Sequence, residues 1–299
     1  MKTIAEMIDA ARKSGRKRLA VAAAQDASAL EAAVDAWMNG LAEPILIGDL
    51  PAIDALAGEL GLDLSRFERV QAKDPTAAAA EAVRLVRTGD ADVLMKGLVD
   101  TSVLLKAVFN KETGINALCL ASHVAVMEVA AYHKLLFVTD AAINIAPDLR
   151  AKLDIIANAV RAARALGVTL PKVALLAAVE KVNPEKMPCT VDAAIISQMG
   201  RRGQVGGCLV DGPLALDNAI SYESARIKNI VSDVAGDADI LVVPDIEAGN
   251  ILYKCLLDLS GAKGAGIVMG AASPIVLTSR ADSGETKLAS IAFAALASR

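Results

Sequence analysis

The sequence predicts an α/β protein whose sheets are mostly parallel, and two observations lead to this prediction. Apolar runs of strand length alternate along the chain with segments whose apolar residues recur every three or four positions. Strands that alternate with helices in this way form βα units, in which neighbouring strands are parallel. Runs that are apolar at every position, such as Ile-Leu-Val-Val at 240–243, are typical of strands covered on both faces.

The predicted elements follow one another without a flexible linker. Strands are predicted at 18–23, 44–48, 92–96, 135–139, 172–178, 207–211, 239–244 and 265–269. Helices are predicted at 28–37, 76–87, 149–166, 192–199 and 248–259. The best hinge is 144–148, where Pro147 follows a strand and suits the first turn of a helix. The pattern alone predicts two α/β lobes with a ligand between them.

The composition disfavours several classes of protein. Of the 299 residues 54% are hydrophobic, but charges interrupt the apolar runs before they reach the roughly 18 residues of a membrane-spanning helix. A net charge of −4 disfavours a nucleic-acid surface. Glu6 and Asp9 stand where a signal peptide needs an apolar stretch, so no targeting segment is predicted. The four cysteines are far apart, which predicts neither a zinc site nor a disulfide framework and favours the cytoplasm.

The segment that ends the predicted strand 92–96 is a candidate phosphate site. It continues as Lys96-Gly97 and reaches Asp100-Thr101 before a helix. Glycine lets a backbone approach a ligand, and lysine supplies a point charge for a phosphate. The alternative is a strand-end lysine followed by a capping Asp or Thr.

Two further segments carry polar residues at strand ends. Asp217-Asn218 follows an Asp-Gly-Pro turn and is expected either to bind a ligand or to cap the next helix. Gly249-Asn250 stands in the first turns of a helix without a propensity reason, which indicates close backbone packing or a ligand-facing amide. His123 and His133 have no partner at metal-ligand or triad spacing, and a structural role is expected for each.

The C-terminal segment places a hydroxyl beside a permanent cation. An apolar strand at 274–277 leads into Ser279, Arg280 and Asp282, and a helix follows. Open α/β sheets hold ligands at the carboxyl ends of their strands, and a helix start adds unpaired N–H groups. This segment therefore predicts a site for an anion or an oxyanion.

These segments together resemble the phosphotransacetylase/phosphotransbutyrylase family of phosphate acyltransferases, and most closely its phosphate butyryltransferase branch. The resemblance covers roughly residues 15 to 299 and is carried by 94–99, 137–148, 211–221, 234–239, 245–254 and 274–282.

The resemblance implies an activity and a domain organisation. The reaction would be acyl-CoA plus phosphate giving acyl phosphate plus CoA, with a short acyl group, butyryl favoured. It implies a two-domain fold like that of isocitrate and isopropylmalate dehydrogenases, with the active site in the interdomain cleft. The first domain would comprise 1–143 plus 270–299 and the second 144–269. The family forms homodimers or larger homo-oligomers, and neither a metal nor a permanently bound cofactor is expected.

The family's catalytic pair falls on Ser279, which would assist removal of the CoA thiol proton, and Arg280, which would bind phosphate and the acyl carbonyl. A supporting acid is left open between Asp282 and Glu285, because the family acid aligns at Thr286. Near the first strand of the cleft, this sequence has Lys106 where the family has an arginine. In the same loop it has Asp100 where the family usually has a histidine. Substrate- or phosphate-binding residues are predicted at Lys96, Gly97, Thr101, Lys106, Asp140, Asn144, Asp217, Asn218 and Asn250.

Three alternatives stay open at the level of sequence. The acyl group could be acetyl rather than butyryl. A dehydrogenase of the same fold would need metal-binding carboxylates, and Asp217, Asp245 and Glu247 do not clearly form such a group. A non-catalytic module that binds CoA or phosphate is the third, and the presence of Ser279 and Arg280 disfavours it.

Overall fold

A computed structural model describes residues 1–115, 117–277 and 282–298. The chain forms two compact units. The N-terminal unit comprises Ala5–Cys119 and Ala265–Arg299, and the central unit comprises Met1–Ile4 and Leu120–Gly264. Each unit is an α/β structure with mostly parallel strands, which confirms the predicted fold class.

The N-terminal unit has the strand order β3-β2-β1-β4-β11-β10. All its pairings are parallel except β10 with β11. Its strands are β1 (Lys17–Ala22), β2 (Ala42–Gly48), β3 (Glu68–Gln71), β4 (Val93–Lys96), β10 (Lys263–Ala271) and β11 (Ile275–Val276). Its helices are α1 (Ile4–Lys13), α2 (Ala27–Met38), α3 (Leu50–Leu60), α4 (Pro75–Thr88), α5 (Thr101–Val108) and α11 (Gly284–Ala297).

The central unit has the strand order β5-β6-β9-β7-β8, and β5 with β6 is its antiparallel pair. Its strands are β5 (Ala117–Glu128), β6 (Leu136–Thr139), β7 (Lys172–Leu176), β8 (Leu209–Leu214) and β9 (Ile240–Val242). Its helices are α6 (Leu149–Ala165), α7 (Cys189–Arg201), α8 (Leu216–Ile220), α9 (Tyr222–Ile227) and α10 (Ile246–Lys254), and a π-helical turn (Cys255–Leu259) follows α10.

Aspartates define where many of the helices begin. An N-cap carboxylate accepts a hydrogen bond from an otherwise unpaired N–H group of the first turn, and this stabilises the helix start. Each such aspartate accepts from the N–H three residues further on. These caps are Asp26, Asp49, Asp74, Asp148 and Asp245.

The strands that sequence patterns find are the buried ones. β4 and β9 are almost entirely buried and were predicted. β3 and β5 were not predicted. β3 reads Glu-Arg-Val-Gln, is mostly exposed and lies at a sheet edge, so it lacks an apolar run. The predicted helix 248–259 begins earlier, at Ile246, and is α-helical only as far as Lys254.

The bounds of the two units differ from those predicted for the two domains. The chain changes unit at 4/5, 119/120 and 264/265, whereas the predicted domains meet at 143/144 and 269/270. β5 and β6 pair as a hairpin and β6 pairs with β9, so both strands belong with the central unit. The predicted hinge 144–148 lies inside that unit, where the Ile246 N–H donates to the Ile145 carbonyl at 2.9 Å. Among the described residues, no helix combines the length and the hydropathy that crossing a membrane requires.

A cluster of ion pairs joins three segments at the amino ends of the central strands. Asp237 contacts Lys172 Nζ at 2.7 Å and Lys134 Nζ at 3.0 Å, and Lys134 also reaches Asp239 at 2.7 Å. Burial acts to raise the pKa of Asp237, but its hydrogen bonds to Lys172 and Lys134 outweigh burial and hold this pKa far below its usual range. The hydrogen bond to Asp237 in turn raises the pKa of Lys172.

We expect Asp237→Asn to destabilise the protein at pH 7 by about 1–3 kcal/mol, because charged hydrogen bonds are lost. The pKa of Asp237 is lower in the folded than in the unfolded state, where it is about 3.9. The stabilisation is therefore present above about pH 4 and is lost as the pH falls. The difference in melting temperature between variant and parent should shrink below about pH 4. Asp258→Asn, at an exposed carboxylate of the same unit, is the control and should show no such pH-dependent difference.

Candidate active site

The carboxyl edge of the N-terminal sheet brings two predicted segments to neighbouring strands. β4 and β11 are parallel and adjacent, with Ile275 opposite Leu94 and Val276 opposite Met95. Lys96 is the last residue of β4, and the segment that contains Ser279 and Arg280 follows β11 in the chain. Parallel neighbours end at the same edge of a sheet. Lys96 and the end of β11 therefore lie at one edge, where open α/β sheets bind ligands.

Ser279 and Arg280 lie outside the described residues, together with Thr278 and Ala281. Their catalytic roles stay predictions. The described chain resumes at Asp282, which is half-buried and whose backbone carbonyl accepts from Lys287 Nζ at 2.6 Å. Ser283 caps α11 by accepting from the Thr286 N–H at 3.1 Å. Glu285 is exposed in the first turn of this helix.

Lys96 and Gly97 hold the end of β4 against the end of β1. Lys96 Nζ donates to the carbonyls of Gly97 at 3.1 Å and Val99 at 3.2 Å. A Cβ atom on Gly97 would lie 2.2 Å from the Ala23 carbonyl oxygen, so only glycine fits there. The close backbone approach expected of Gly97 is thus made within the chain itself.

Thr101 and Lys106 are both exposed on α5, but the helix does not place them side by side. They are five residues apart, which corresponds to about 140° around the axis and about 7.5 Å along it. Thr101 is the first helical residue, and Asp100 is the N-cap but makes no side-chain capping hydrogen bond. Lys106 is in the last turn. A single small anion at the helix start would therefore meet Thr101 and not Lys106.

Asp140 organises the loop that follows β6. Its Oδ1 accepts from the N–H groups of Ala142 at 2.9 Å and Ile143 at 3.0 Å. Its Oδ2 accepts from the N–H of Asn144 at 3.1 Å and from its Nδ2 at 2.6 Å. Asn144 Nδ2 also donates to the Ala121 carbonyl at 2.8 Å, which ties the loop to β5. Asp140 is 2% exposed, so its carboxylate shapes the loop from inside.

Gly249 and Asn250 fix the start of α10 against the same loop. A Cβ atom on Gly249 would lie 2.6 Å from the Asp140 carbonyl oxygen, which confirms the close backbone packing expected from its position. Asn250 Nδ2 donates to the Ala141 carbonyl at 3.1 Å. Because β6 and β9 are adjacent parallel strands, Asp140, Asn144 and Asn250 come together at one edge.

Asp217 and Asn218 belong to a third group, beyond the ends of β7 and β8. Asn218 is fully buried, and its Nδ2 donates to Glu180 Oε1 at 2.5 Å. Lys228 Nζ donates to the same Glu180 oxygen at 2.5 Å and lies 3.3 Å from Asp217 Oδ2. The hydrogen bond from Lys228 lowers the pKa of Glu180, which is therefore ionised at neutral pH. No sequence pattern singles out Glu180 and Lys228, because 38 and 11 residues separate them from their partners Asn218 and Asp217.

The structure therefore sorts the predicted residues into three places. Lys96, Gly97 and Thr101 lie at the carboxyl edge of the N-terminal sheet, and Asp140, Asn144 and Asn250 lie at the adjacent ends of β6 and β9. Asp217 and Asn218 follow β8, which β7 separates from β9. Within the described ranges, no group of three His, Cys, Asp or Glu side chains could hold a metal ion.

The fold and the strand-end residues define an α/β protein with candidate ligand-binding groups at the carboxyl edges of its strands. Comparison with known proteins identifies its family. The family model described as phosphate acetyl/butaryl transferase matches residues 3–80 and 72–295. The chain belongs to this family, and it is an acyltransferase.

Two curated relatives cover nearly the whole chain. The phosphate butyryltransferase of Clostridium acetobutylicum is 49% identical over 296 residues, which are 99% of this chain and 98% of that protein. The phosphate acetyltransferase of Rhizobium meliloti is 49% identical over 290 residues, which are 97% of this chain and 92% of that protein. The two relatives share the same identity with this chain, and the match to the butyryltransferase covers more of both proteins.

Solved structures agree with this assignment. A branched-chain phosphotransacylase from Enterococcus faecalis is 36% identical with a TM-score of 0.81, and the match covers 94% of this chain and 98% of that one. A 4-hydroxythreonine-4-phosphate dehydrogenase from Burkholderia phymatum matches with a TM-score of 0.57 at 14% identity, over 95% of this chain and 98% of that one. The second likeness concerns the fold alone and agrees with the dehydrogenase-like fold that was predicted.

We expect Gly249→Ala to destabilise the protein by about 1–3 kcal/mol, since the new methyl group would overlap the backbone of the Asp140 loop. Gly58→Ala is the matched control, because Gly58 is inside α3 and nothing lies within 4 Å of a Cβ atom there. That control should be neutral or stabilising by up to about 1 kcal/mol. Thermal unfolding of both variants measures the difference, and equal stability would contradict the close packing at Gly249.

Proposed function

We propose that this chain transfers a short acyl group, preferentially butyryl, between coenzyme A and inorganic phosphate. The observation that carries the proposal is the 49% identity to a phosphate butyryltransferase over 99% of this chain and 98% of that protein. The placement of Lys96 at the strand edge where β11 ends supports an anion site on the N-terminal unit.

The chemistry requires little covalent participation by the protein. A phosphate oxygen attacks the thioester carbonyl carbon, a C–O bond forms, and the C–S bond breaks to release the CoA thiolate, which takes up a proton. In the reverse direction the thiol must lose its proton, because a thiol of pKa about 8.5 is mostly protonated at neutral pH. Ser279 is proposed to relay that proton, with Asp282 or Glu285 as the supporting acid.

Arg280 is proposed to bind phosphate and to stabilise the charge that develops on the carbonyl oxygen. One donor to such an oxyanion contributes about 3–4 kcal/mol in known enzymes. Holding phosphate and thioester in a reactive orientation contributes about 7–11 kcal/mol more. The proposed scheme uses no metal ion and no permanently bound cofactor.

The finer substrate and cellular assignments are also proposals. Acetyl is the second candidate acyl group, and the 49% identity to a phosphate acetyltransferase supports it. A cytoplasmic location is proposed because the cysteines are few and dispersed. A homodimer or larger homo-oligomer is proposed from the family resemblance.

The reaction itself is tested by release of CoA thiol from acyl-CoA with and without phosphate. We expect release to require phosphate, to yield acyl phosphate, and to be fastest with butyryl-CoA in a series from acetyl to hexanoyl. If release were fastest with acetyl-CoA, acetyl would replace butyryl as the proposed acyl group. Binding of CoA without turnover would instead indicate a non-catalytic module.

Arg280→Ala should lower turnover by about 100-fold or more, because an oxyanion and phosphate donor is lost, while the melting temperature stays nearly unchanged. Arg87→Ala, at an exposed arginine in the last turn of α4, is the control and should keep full activity. Near-normal activity of Arg280→Ala would reject the role of this guanidinium.

Ser279→Ala should be impaired in both directions, with acyl-CoA plus phosphate and with acyl phosphate plus CoA. The forward and the reverse reaction pass through the same proton-transfer step. Initial rates in the two directions measure this effect. An unaltered rate in either direction would count against proton handling by Ser279.

A further inference from the structure

A groove of about 460 Å³ lies beside β8, the strand that ends the central sheet. Its volume is within the range of roughly 300–1,000 Å³ that small-molecule sites occupy. The last residues of α7, Gly200 and Arg201, form one side, and the segment 231–234 forms another. The first residues of β8 lie between them, whereas Asp217 and Asn218 come after the carboxyl end of this strand. The groove is therefore separate from the candidate active site.

Contacts within the central unit fix both sides of the groove. A Cβ atom on Gly200 would overlap Val210 Cγ1, so the absence of a side chain lets the end of α7 pack closely on β8. On the other side, Ser232 Oγ accepts from the N–H groups of Val234 at 3.1 Å and Ala235 at 3.2 Å. The groove thus has defined walls before any ligand binds.

Two opposite charges line the groove without forming a hydrogen bond. Arg201 Nη2 and Asp211 Oδ1 are 3.9 Å apart, which exceeds the roughly 3.2 Å of an N–H···O hydrogen bond. The Asp211 side chain is only 18% exposed, and among the described residues nothing donates a hydrogen bond to its carboxylate. A carboxylate withdrawn from water is stabilised by charged donors. Asp211 is therefore an open acceptor for a cationic group, and Arg201 an open donor for an anionic one.

The rest of the lining is largely apolar. Val231 is 96% exposed and Leu209 is half-buried. Burial raises the pKa of the Cys208 thiol to about 11, so this side chain is uncharged at neutral pH. Asp233 adds a second carboxylate at the exposed side. A complementary ligand carries a cationic group for the acids, an anionic group for Arg201 and an aliphatic group for the apolar wall.

We propose that this groove binds an α-amino acid with an aliphatic side chain, with its carboxylate at Arg201 and its ammonium group at Asp211. An α-amino acid carries both charges on one carbon atom, so it fits between the two side chains when Arg201 moves outward. Such a movement is available to Arg201, because its side chain is 68% exposed and stands in the last turn of α7. The aliphatic side chain of the ligand then covers Val231.

The groove is joined to the group of residues beyond the ends of β7 and β8. Lys228 precedes the wall segment 231–234 by three residues, and its Nζ lies 2.5 Å from Glu180 Oε1 and 3.3 Å from Asp217 Oδ2. A ligand that contacts 231–234 therefore acts on the segment that carries this ion pair. We expect the amino acid to be an effector of acyl transfer. The effector role rests on the proposed function, whereas binding in the groove does not.

The first experiment measures binding to the full-length protein by isothermal titration calorimetry. Leucine should bind to one site per chain. 3-Methylbutylamine lacks the carboxylate and 4-methylpentanoate lacks the ammonium group. Each should bind at least about tenfold more weakly, because a charged hydrogen bond is lost. Absence of saturable leucine binding, or equal binding of leucine and both analogues, would overturn the proposal.

The second experiment removes the two charges of the groove one at a time. Asp211→Asn and Arg201→Gln should each weaken leucine binding by about tenfold or more. Arg202→Gln is the matched control, because Arg202 is the exposed neighbour of Arg201 and does not line the groove. Arg201 is itself exposed, so Arg201→Gln keeps the test valid if Asp211→Asn folds poorly. Undiminished affinity of Arg201→Gln, or an equal loss in the control, would refute the site.

The third experiment separates the groove from the substrate site. Leucine should still bind at saturating CoA and phosphate, and displacement by either would place it in the substrate site and overturn the proposal. Leucine should also change the KM or the turnover of the parent for butyryl-CoA, but not those of Arg201→Gln. Unchanged kinetics with leucine bound would refute the effector role. A parent that binds leucine but shows no phosphate-dependent release of CoA would refute the proposed function and leave the groove supported.

Discussion

The loop at the carboxyl end of β6 depends on the hydrogen bonds that the Asp140 carboxylate accepts. Its two oxygens accept four hydrogen bonds from Ala142, Ile143 and Asn144, so a buried charge is fully satisfied by its own loop. Gly249 and Asn250 then pack on the backbone that this carboxylate fixes. A buried carboxylate left without these donors would be strongly unfavourable, and the loop would have no single conformation. The start of α10 is thus positioned by a side chain that faces inward.

The sequence predicted those parts of the fold in which local pattern and tertiary burial agree. β9 is apolar throughout because helices cover both its faces, and α6 shows its period because one face is buried. β3 was missed because an edge strand needs no apolar run, and its pairing with β2 supplies its stability instead. The compact units have other bounds than the predicted domains, because β5 and β6 pair with each other across a distance that no local pattern reveals.

The positions of the candidate residues were predictable to the same extent, and their roles stay predictions. Lys96, Gly97, Asp140 and Gly249 stand at strand ends and helix starts, and local pattern reveals such positions. The contact of Glu180 with Asn218 and Lys228 joins residues 38 and 48 positions apart, and no motif spacing encodes it. Several of the predicted binding residues, Asn144, Asn218 and Asn250 among them, donate an amide N–H to another group of the protein. These contacts hold loops in place, and only the three-dimensional structure reveals them.

The place of β11 has a consequence for how the protein is made. β11 lies between β4 and β10 in the N-terminal sheet, and α11 packs against α2. Both elements come after the central unit in the chain, so they are synthesised last. During synthesis the edge of β4 consequently stays unpaired while residues 120–264 emerge, and unpaired edges attract other strands. The central unit, whose chain is nearly continuous, is complete earlier. Ribosome-bound chains that stop before β11 hence present one finished unit and one open sheet to chaperones.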